Sequence, residues 1–359
     1  MPTREEAESF PRGRIDLGFC SDCGFIGNTS FEPLLTRYSA DYEESQAFSA
    51  RFVDFAGNLA RDWVYRHGLA GKHVVEIGCG KGEFLVMMAE AGIGSGLGID
   101  PGVDPERIGS SGADRLRWES ALFDTSYGPL VADAIVCRHT LEHVPNVKEF
   151  LVDIRSAIGD KMDTVLLFEL PDTIRVLEEA AFWDVYYEHC SYFSEGSLAR
   201  LFESCGFEVL DVSLAYDDQY LLLEARPVSA SPASRWLADD MARLERGTTQ
   251  FASGYEAIVA KWRDRLTRIQ SRGGKSVIWG ASSKGVSFLG LVGDLVEAAV
   301  DVNPNKHGTY VAGSGHRIVA PRQLVSIAPE LVVVMNPIYL DEIGAEMGQL
   351  GVNAEIVAV

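Results

Sequence analysis

Residues 74–82, VVEIGCGKG, decide the fold. Val74, Val75 and Ile77 favour a buried strand, and they run straight into Gly78, Gly80 and Gly82. Phe84, Leu85, Met87 and Met88 follow at helical spacing. The order is strand, glycine turn, helix. Glycines let the backbone turn tightly and leave room for a ligand to approach its N–H groups. A second apolar stretch, GSGLGID (94–100), ends at Asp100, 24 residues after Glu76. An acid at the end of a neighbouring parallel strand suits the hydroxyls of a ribose. Together these features describe a site for an adenosine-like ligand.

The glycine spacing sorts the ligands. A dinucleotide fold spaces its glycines G-x-G-x-x-G and rests the pyrophosphate on the helix N-terminus. Here the spacing is G-x-G-x-G, preceded by Glu76. A carboxylate beside the loop disfavours pyrophosphate and tolerates a ligand with ammonium and sulfonium charges. The motif resembles the first motif of the Rossmann-like methyltransferases, which bind S-adenosylmethionine. A glycine turn with no ligand is the competing reading, and the placement of Asp100 weighs against it.

Composition sets outer limits. A chain of 359 residues, 47% hydrophobic, is expected to form two or three domains with substantial cores. A net charge of −20 with no long basic run excludes nucleic acid as an expected partner. No apolar run approaches the ~20 residues that span a bilayer, and MPTREEAESF has no apolar signal core. The expectation is a cytoplasmic protein with reduced thiols and no membrane partner. Cys20 and Cys23 form the one C-x-x-C pair, half of a zinc site. With no second pair in the sequence, zinc is expected to be absent.

The chain divides into four parts. Residues 1–40 hold the C-x-x-C pair and read as the remnant of a zinc-binding-like module. Residues 41–226 alternate strands and helices, as a doubly wound sheet does, with strands at 73–78, 95–100, 132–137, 164–170, 206–213 and 219–226. Residues 227–274 form a helical linker of one or two helices. Residues 275–359 restart an α/β pattern. There KSVIWGASSKG (275–285) is again strand, small-residue turn, helix, and EAAVDVNPNKHG (297–308) carries a strand ending in Asp301. Gly280, Ser282, Ser283, Lys284 and Gly285 read either as a phosphate cradle or as a structural turn. The two strand–turn–helix units differ too much in sequence to be called a repeat.

Chemistry belongs at the carboxyl edge of the first sheet, where two clusters lie. CRHTLEHVPN (137–146) places Arg138, His139, Glu142 and His143 after a strand. Its H-x-x-E-H order also occurs in some zinc proteases, but a lining of the adenosine-side pocket is the preferred reading, with no metal assigned. AFWDVYYEHCSYFS (181–194) concentrates Trp183, Tyr186, Tyr187, Glu188, His189, Tyr192 and Phe193. A histidine beside a carboxylate and phenols can serve as general base, and phenols can donate to a developing oxyanion. An aromatic lid over the sheet is the competing reading.

The whole chain resembles the three-part C-methyltransferases that act at C-3 of nucleotide-linked 4-keto-deoxysugars. The matching segments are CSDCGF, DYEESQ, VVEIGCGKGEFL, CRHTLEHVPN, YYEHCSYF, GASSKG and VDVNPNKHGTYVAG. The resemblance implies a Rossmann-like class I methyltransferase domain, a second, smaller Rossmann-like C-terminal domain, and S-adenosylmethionine as cofactor. It implies His189 as base, with Glu188 and Tyr186 as partners and Tyr42 reaching the same site. Glu76, Gly78, Gly80, Gly82, Asp100, Arg138 and His139 are assigned to the cofactor. Tyr187, Ser283, Lys284 and Asn336 are assigned to a small-molecule acceptor, a nucleotide-linked sugar. A carbon next to a carbonyl becomes a nucleophile when its proton is removed, so the expected route is an enolate formed by His189. O-methylation of a hydroxyl and a non-catalytic S-adenosylmethionine-binding protein are the alternatives.

Overall fold

Val74, Val75 and Ile77 lie in β1 (His73–Ile77), the third strand of a seven-stranded sheet. The computed structural model describes residues 1–36, 48–104, 114–124, 127–229 and 240–359. The other strands of this sheet are β2 (Ser95–Ile99), β3 (Leu116–Glu119), β4 (Ala134–Arg138), β5 (Val165–Pro171), β6 (Phe207–Ala215) and β7 (Tyr220–Pro227). Their order is β3-β2-β1-β4-β5-β7-β6. The first five run parallel, and β7 pairs antiparallel with both β5 and β6. β1 and β4 are almost wholly buried, as central parallel strands covered on both faces must be. Val75, Ile77, Ile135, Leu166 and Phe168 supply one core, packed with Leu151, Ile154 and Phe202 from the helices Val147–Ile158 and Glu195–Ser204.

A second sheet contains β8 (Ser276–Trp279), β9 (Ala298–Val300), β10 (Ile318–Val319), β11 (Leu331–Val334) and β12 (Glu355–Ala358). All its pairings are parallel, in the order β10-β9-β8-β11-β12. The alternation of strand side chains divides its core in two. Ile278, Ala299, Leu331 and Val333 pack with Trp262, Leu266 and Phe288, whereas Val277, Val300, Val332 and Val334 pack with Leu324, Ile343 and Met347. The chain therefore adopts the expected α/β fold, a Rossmann-like domain followed by a second, smaller one. The two sheets share the order of their first five strands, a kinship that the divergent sequences of the two turns conceal.

The two compact units do not follow chain order. One comprises Ile15–Ile174 and Glu188–Glu245; the other comprises Met1–Arg14, Arg175–Tyr187 and Arg246–Val359. Phe182 and Trp183 enter the second unit's core beside Trp262 and Phe288. Among the described residues the linker holds one helix, Met241–Ser271. Cys20 and Cys23 lie in the turn between the short paired strands Leu17–Phe19 and Ile26–Asn28, closed by the Phe25 carbonyl accepting from the Cys20 N–H at 2.9 Å. Backbone N–H groups of Asp22 and Cys23 hold the Cys20 thiol below its ordinary value, while burial pushes Cys23 up. Among the described residues no helix is long and apolar enough to cross a membrane.

Candidate active site

The glycine turn after β1 is built on left-handed backbone: φ is 73° at Gly78, 52° at Gly80 and 77° at Gly82. Gly78 is also required by space, since a Cβ there would lie 2.0 Å from Thr140 Oγ1. The sequence reading expects the loop to offer its N–H groups to a ligand. Instead Gly78 donates to the Ile99 carbonyl at 2.8 Å, Gly80 to Asp100 Oδ2 at 3.0 Å, and Gly82 to the Cys79 carbonyl at 2.8 Å. Gly102 donates to Asp100 Oδ1 at 2.6 Å. Asp100 thus braces the loop, and each of its oxygens retains a second lone-pair direction for another donor.

Beneath the loop lie two charges with unused capacity. Glu76 is 2% exposed, and burial raises its carboxyl to about 8 against the opposing pull of Arg138. Among the described residues its Oε2 has no hydrogen-bond partner, and neither has Nη2 of the buried Arg138. Arg138 donates from Nε to Glu169 Oε2 at 2.5 Å and stands 4.0 Å over the Phe84 ring. A buried carboxyl oxygen and a buried guanidinium nitrogen, each with spare hydrogen-bonding capacity, match the ammonium and carboxylate of a bound amino acid, and the arriving ammonium favours the ionised form of Glu76.

His139, at φ 46°, bonds through Nε2 to Glu169 Oε1 at 3.0 Å and places Nδ1 3.6 Å from Glu142 Oε1. Burial alone would lower its pKa, but Glu169 and Glu142 push it up to about 9. For Glu169 burial is again the opposing influence, and Arg138 and His139 hold it down at about 2. His139 is therefore an imidazolium set between carboxylates.

Farther along, the short turn Leu141–His143 aims Glu142 and His143 toward the second cluster. His143 Nδ1 lies 3.0 Å from the Glu188 carbonyl, and its ring centre is 4.8 Å from that of His189. His189 is 5% exposed, with Nε2 3.9 Å from Glu142 Oε1. The sequence reading pairs His189 with its neighbour Glu188. The carboxylate beside the His189 ring is that of Glu142, and Glu188 meets His143 through its main chain.

The remaining assigned residues fall elsewhere. Tyr42 lies outside the described residues. Tyr186 and Tyr187, both partly buried, belong to the unit that contains Ser283, Lys284 and Asn336. There Lys284 Nζ is 2.6 Å from Asp184 Oδ1, and Arg175 donates to the same carboxylate at 2.8 Å. Of the two readings left open for this turn, phosphate cradle and structural turn, the internal carboxylate partner of Lys284 favours the second. Ala281 donates to Asp301 Oδ2 at 3.0 Å and Asn303 to Asp301 Oδ1 at 2.9 Å, the same bracing that Asp100 gives its own loop. Asn336 accepts from the Ile338 N–H at 3.2 Å and so starts a short helical turn.

Glu169 received no role from the sequence, and Glu142 and His143 none beyond lining the adenosine-side pocket. Glu169 had a readable signal: one carboxylate inside the otherwise apolar strand VLLFELP.

Comparison with known proteins bears on this arrangement. The family described as "Methyltransferase domain" matches residues 48–212, and that described as "C-methyltransferase C-terminal domain" matches residues 238–355. The C-methyltransferase NovU of Streptomyces niveus is 28% identical over 306 residues, covering 78% of this chain and 70% of that protein. The ubiquinone biosynthesis O-methyltransferase of Azoarcus sp. (strain BH72) is 36% identical over 94 residues, 24% of this chain and 40% of that protein. Among solved structures, the 1,6-didemethyltoxoflavin-N1-methyltransferase of Burkholderia thailandensis is similar over 50% of this chain and 82% of its own, at 18% identity and a TM-score of 0.38.

Proposed function

From the chain's membership in the C-methyltransferase family, we propose that it methylates a carbon next to the carbonyl of a nucleotide-linked keto-sugar, with His189 as the base. S-adenosylmethionine supplies the methyl group as an electrophile on a sulfonium. Glu76 and Arg138 hold its amino-acid end through the two atoms that lack partners among the described residues. Asp100, while bracing the glycine loop, takes the ribose hydroxyls.

His189 takes the proton from the acceptor carbon, leaving an enolate. Glu142, 3.9 Å from Nε2, stabilises the imidazolium that results. Base catalysis of this kind contributes roughly 10²–10⁴-fold, and holding the reactants at contact distance contributes ~7–11 kcal/mol. The observation that carries the reading is a buried histidine backed by a buried carboxylate, in the same unit as the braced glycine loop. The sugar class rests on the segments YYEHCSYF and VDVNPNKHGTYVAG.

The test is His189→Ala, assayed with S-adenosylmethionine and candidate nucleotide-ketosugars. Turnover is expected to fall ~10²–10⁴-fold with cofactor affinity unchanged by calorimetry. Near-normal methyl transfer by this variant would remove His189 from the mechanism. A methyl label that survives acid hydrolysis of the product distinguishes transfer to carbon from an ester linkage.

A further inference from the structure

Glu142, His143 and His189 form a group whose chemistry exceeds proton transfer. One carboxylate oxygen and one nitrogen from each imidazole lie within 4.8 Å of one another. An ion at the centre of such a triangle is at most about 2.8 Å from each atom, and small side-chain rotations close that to the roughly 2.0–2.2 Å of a zinc bond.

Two further observations point to a ligand. Glu142 is 2% exposed, and neither of its oxygens accepts a hydrogen bond among the described residues. The His139 ring, 3.6 Å from Oε1, balances part of that charge, and the acceptor capacity that remains suits a further cation. His143 is also oriented as a metal ligand is. Its Nδ1 donates to the Glu188 carbonyl at 3.0 Å, which fixes the tautomer and makes Nε2 the ligating nitrogen.

We propose that Glu142, His143 and His189 bind a divalent transition cation of the zinc class, through two imidazoles and one carboxylate, with solvent completing the coordination. The His189 lone pair that would bind the ion is the one that would take the proton, so bound zinc and proton removal exclude each other. Ion binding stands independently of the proposed function; the inhibition alone rests on it.

Cobalt(II) is the probe, titrated into full-length protein carrying Cys20→Ser and Cys23→Ser so that thiolates contribute nothing. A saturable visible band at one equivalent, displaced by zinc, is expected. Glu142→Gln and His143→Gln, checked for native circular dichroism, are each expected to weaken binding by more than the roughly 10–100-fold that loss of an outer-shell partner costs. X-ray absorption of the cobalt-loaded parent is expected to show two imidazoles and at least one carboxylate, and does not depend on either variant folding. The absence of a saturable band, an undiminished band in both folded variants, or a shell without imidazole overturns the site. In turnover assays zinc is expected to inhibit and chelator to restore activity. If turnover instead requires the ion, the cation site stands and His189 as base falls.

Discussion

Glu169→Gln tests the electrostatics of the buried Arg138–Glu169–His139 cluster. Glu169 is 1% exposed and accepts from Arg138 at 2.5 Å and from His139 at 3.0 Å. Burial works against its charge, but Arg138 and His139 hold its carboxyl at about 2, against an ordinary 4.5. At about 1.4 kcal/mol per unit this corresponds to ~3 kcal/mol. Loss of one partner from a buried pair costs about 3–5 kcal/mol, so the two figures agree. The pH dependence has two limbs. Glu169 is depressed, so its contribution is complete above 4.5 and lost as pH falls through about 2. His139 is raised, so its contribution is complete below 6.5 and lost as pH rises through about 9. Urea unfolding followed by circular dichroism, near pH 6 and at about pH 10, measures both. The variant is expected to be ~3 kcal/mol less stable near pH 6, with a smaller deficit at the alkaline pH once His139 is neutral. A deficit below about 1 kcal/mol near pH 6, the level of an exposed pair, or one unchanged at alkaline pH, refutes the reasoning.

Three other perturbations have definite outcomes. Asp100→Ala is expected to weaken S-adenosylmethionine binding by about 1.5–3 kcal/mol, read by calorimetry; unchanged affinity removes Asp100 from the ribose site. Gly78→Ala places a methyl 2.0 Å from Thr140 Oγ1 at a φ of 73°, and a loss of ~1–3 kcal/mol in urea melts is expected. Glu224, buried, lies 2.5 Å from Arg66 and 3.1 Å from His67. Despite the opposing effect of burial, these partners hold it at about 2. Its contribution is complete above 4.5 and lost toward pH 2, so Glu224→Gln is expected to flatten the acid limb of a stability-against-pH curve.

The sequence reading reached furthest where local pattern governs structure. The six strands named from apolar runs all exist, displaced by at most two residues at either end. It missed β3, LRWE, because an edge strand with two charges in four residues carries no apolar run. The braced loop was half legible: the glycines and Asp100 were visible, but nothing in the spacing says that Asp100 binds Gly80 across two strands. Pairing at long range was not legible. Lys284 is 100 residues from Asp184, and His189 is 47 from Glu142. Such partners are chosen by the packing of whole elements, which one-dimensional periodicity does not encode.

The way the units share the chain governs how the gene can be cut. Arg175–Tyr187 is an excursion from one unit into the other, and Phe182 and Trp183 on it are buried against Trp262 and Phe288. A fragment ending at residue 245 would retain every residue assigned to the cofactor yet strand two large aromatic side chains in water. Such a fragment is expected to aggregate. A hybrid that carries another second unit cannot be made at a single splice point. Residues 1–14 and 175–187 would have to travel with 246–359, so recombination by segments must exchange three stretches of coding sequence at once.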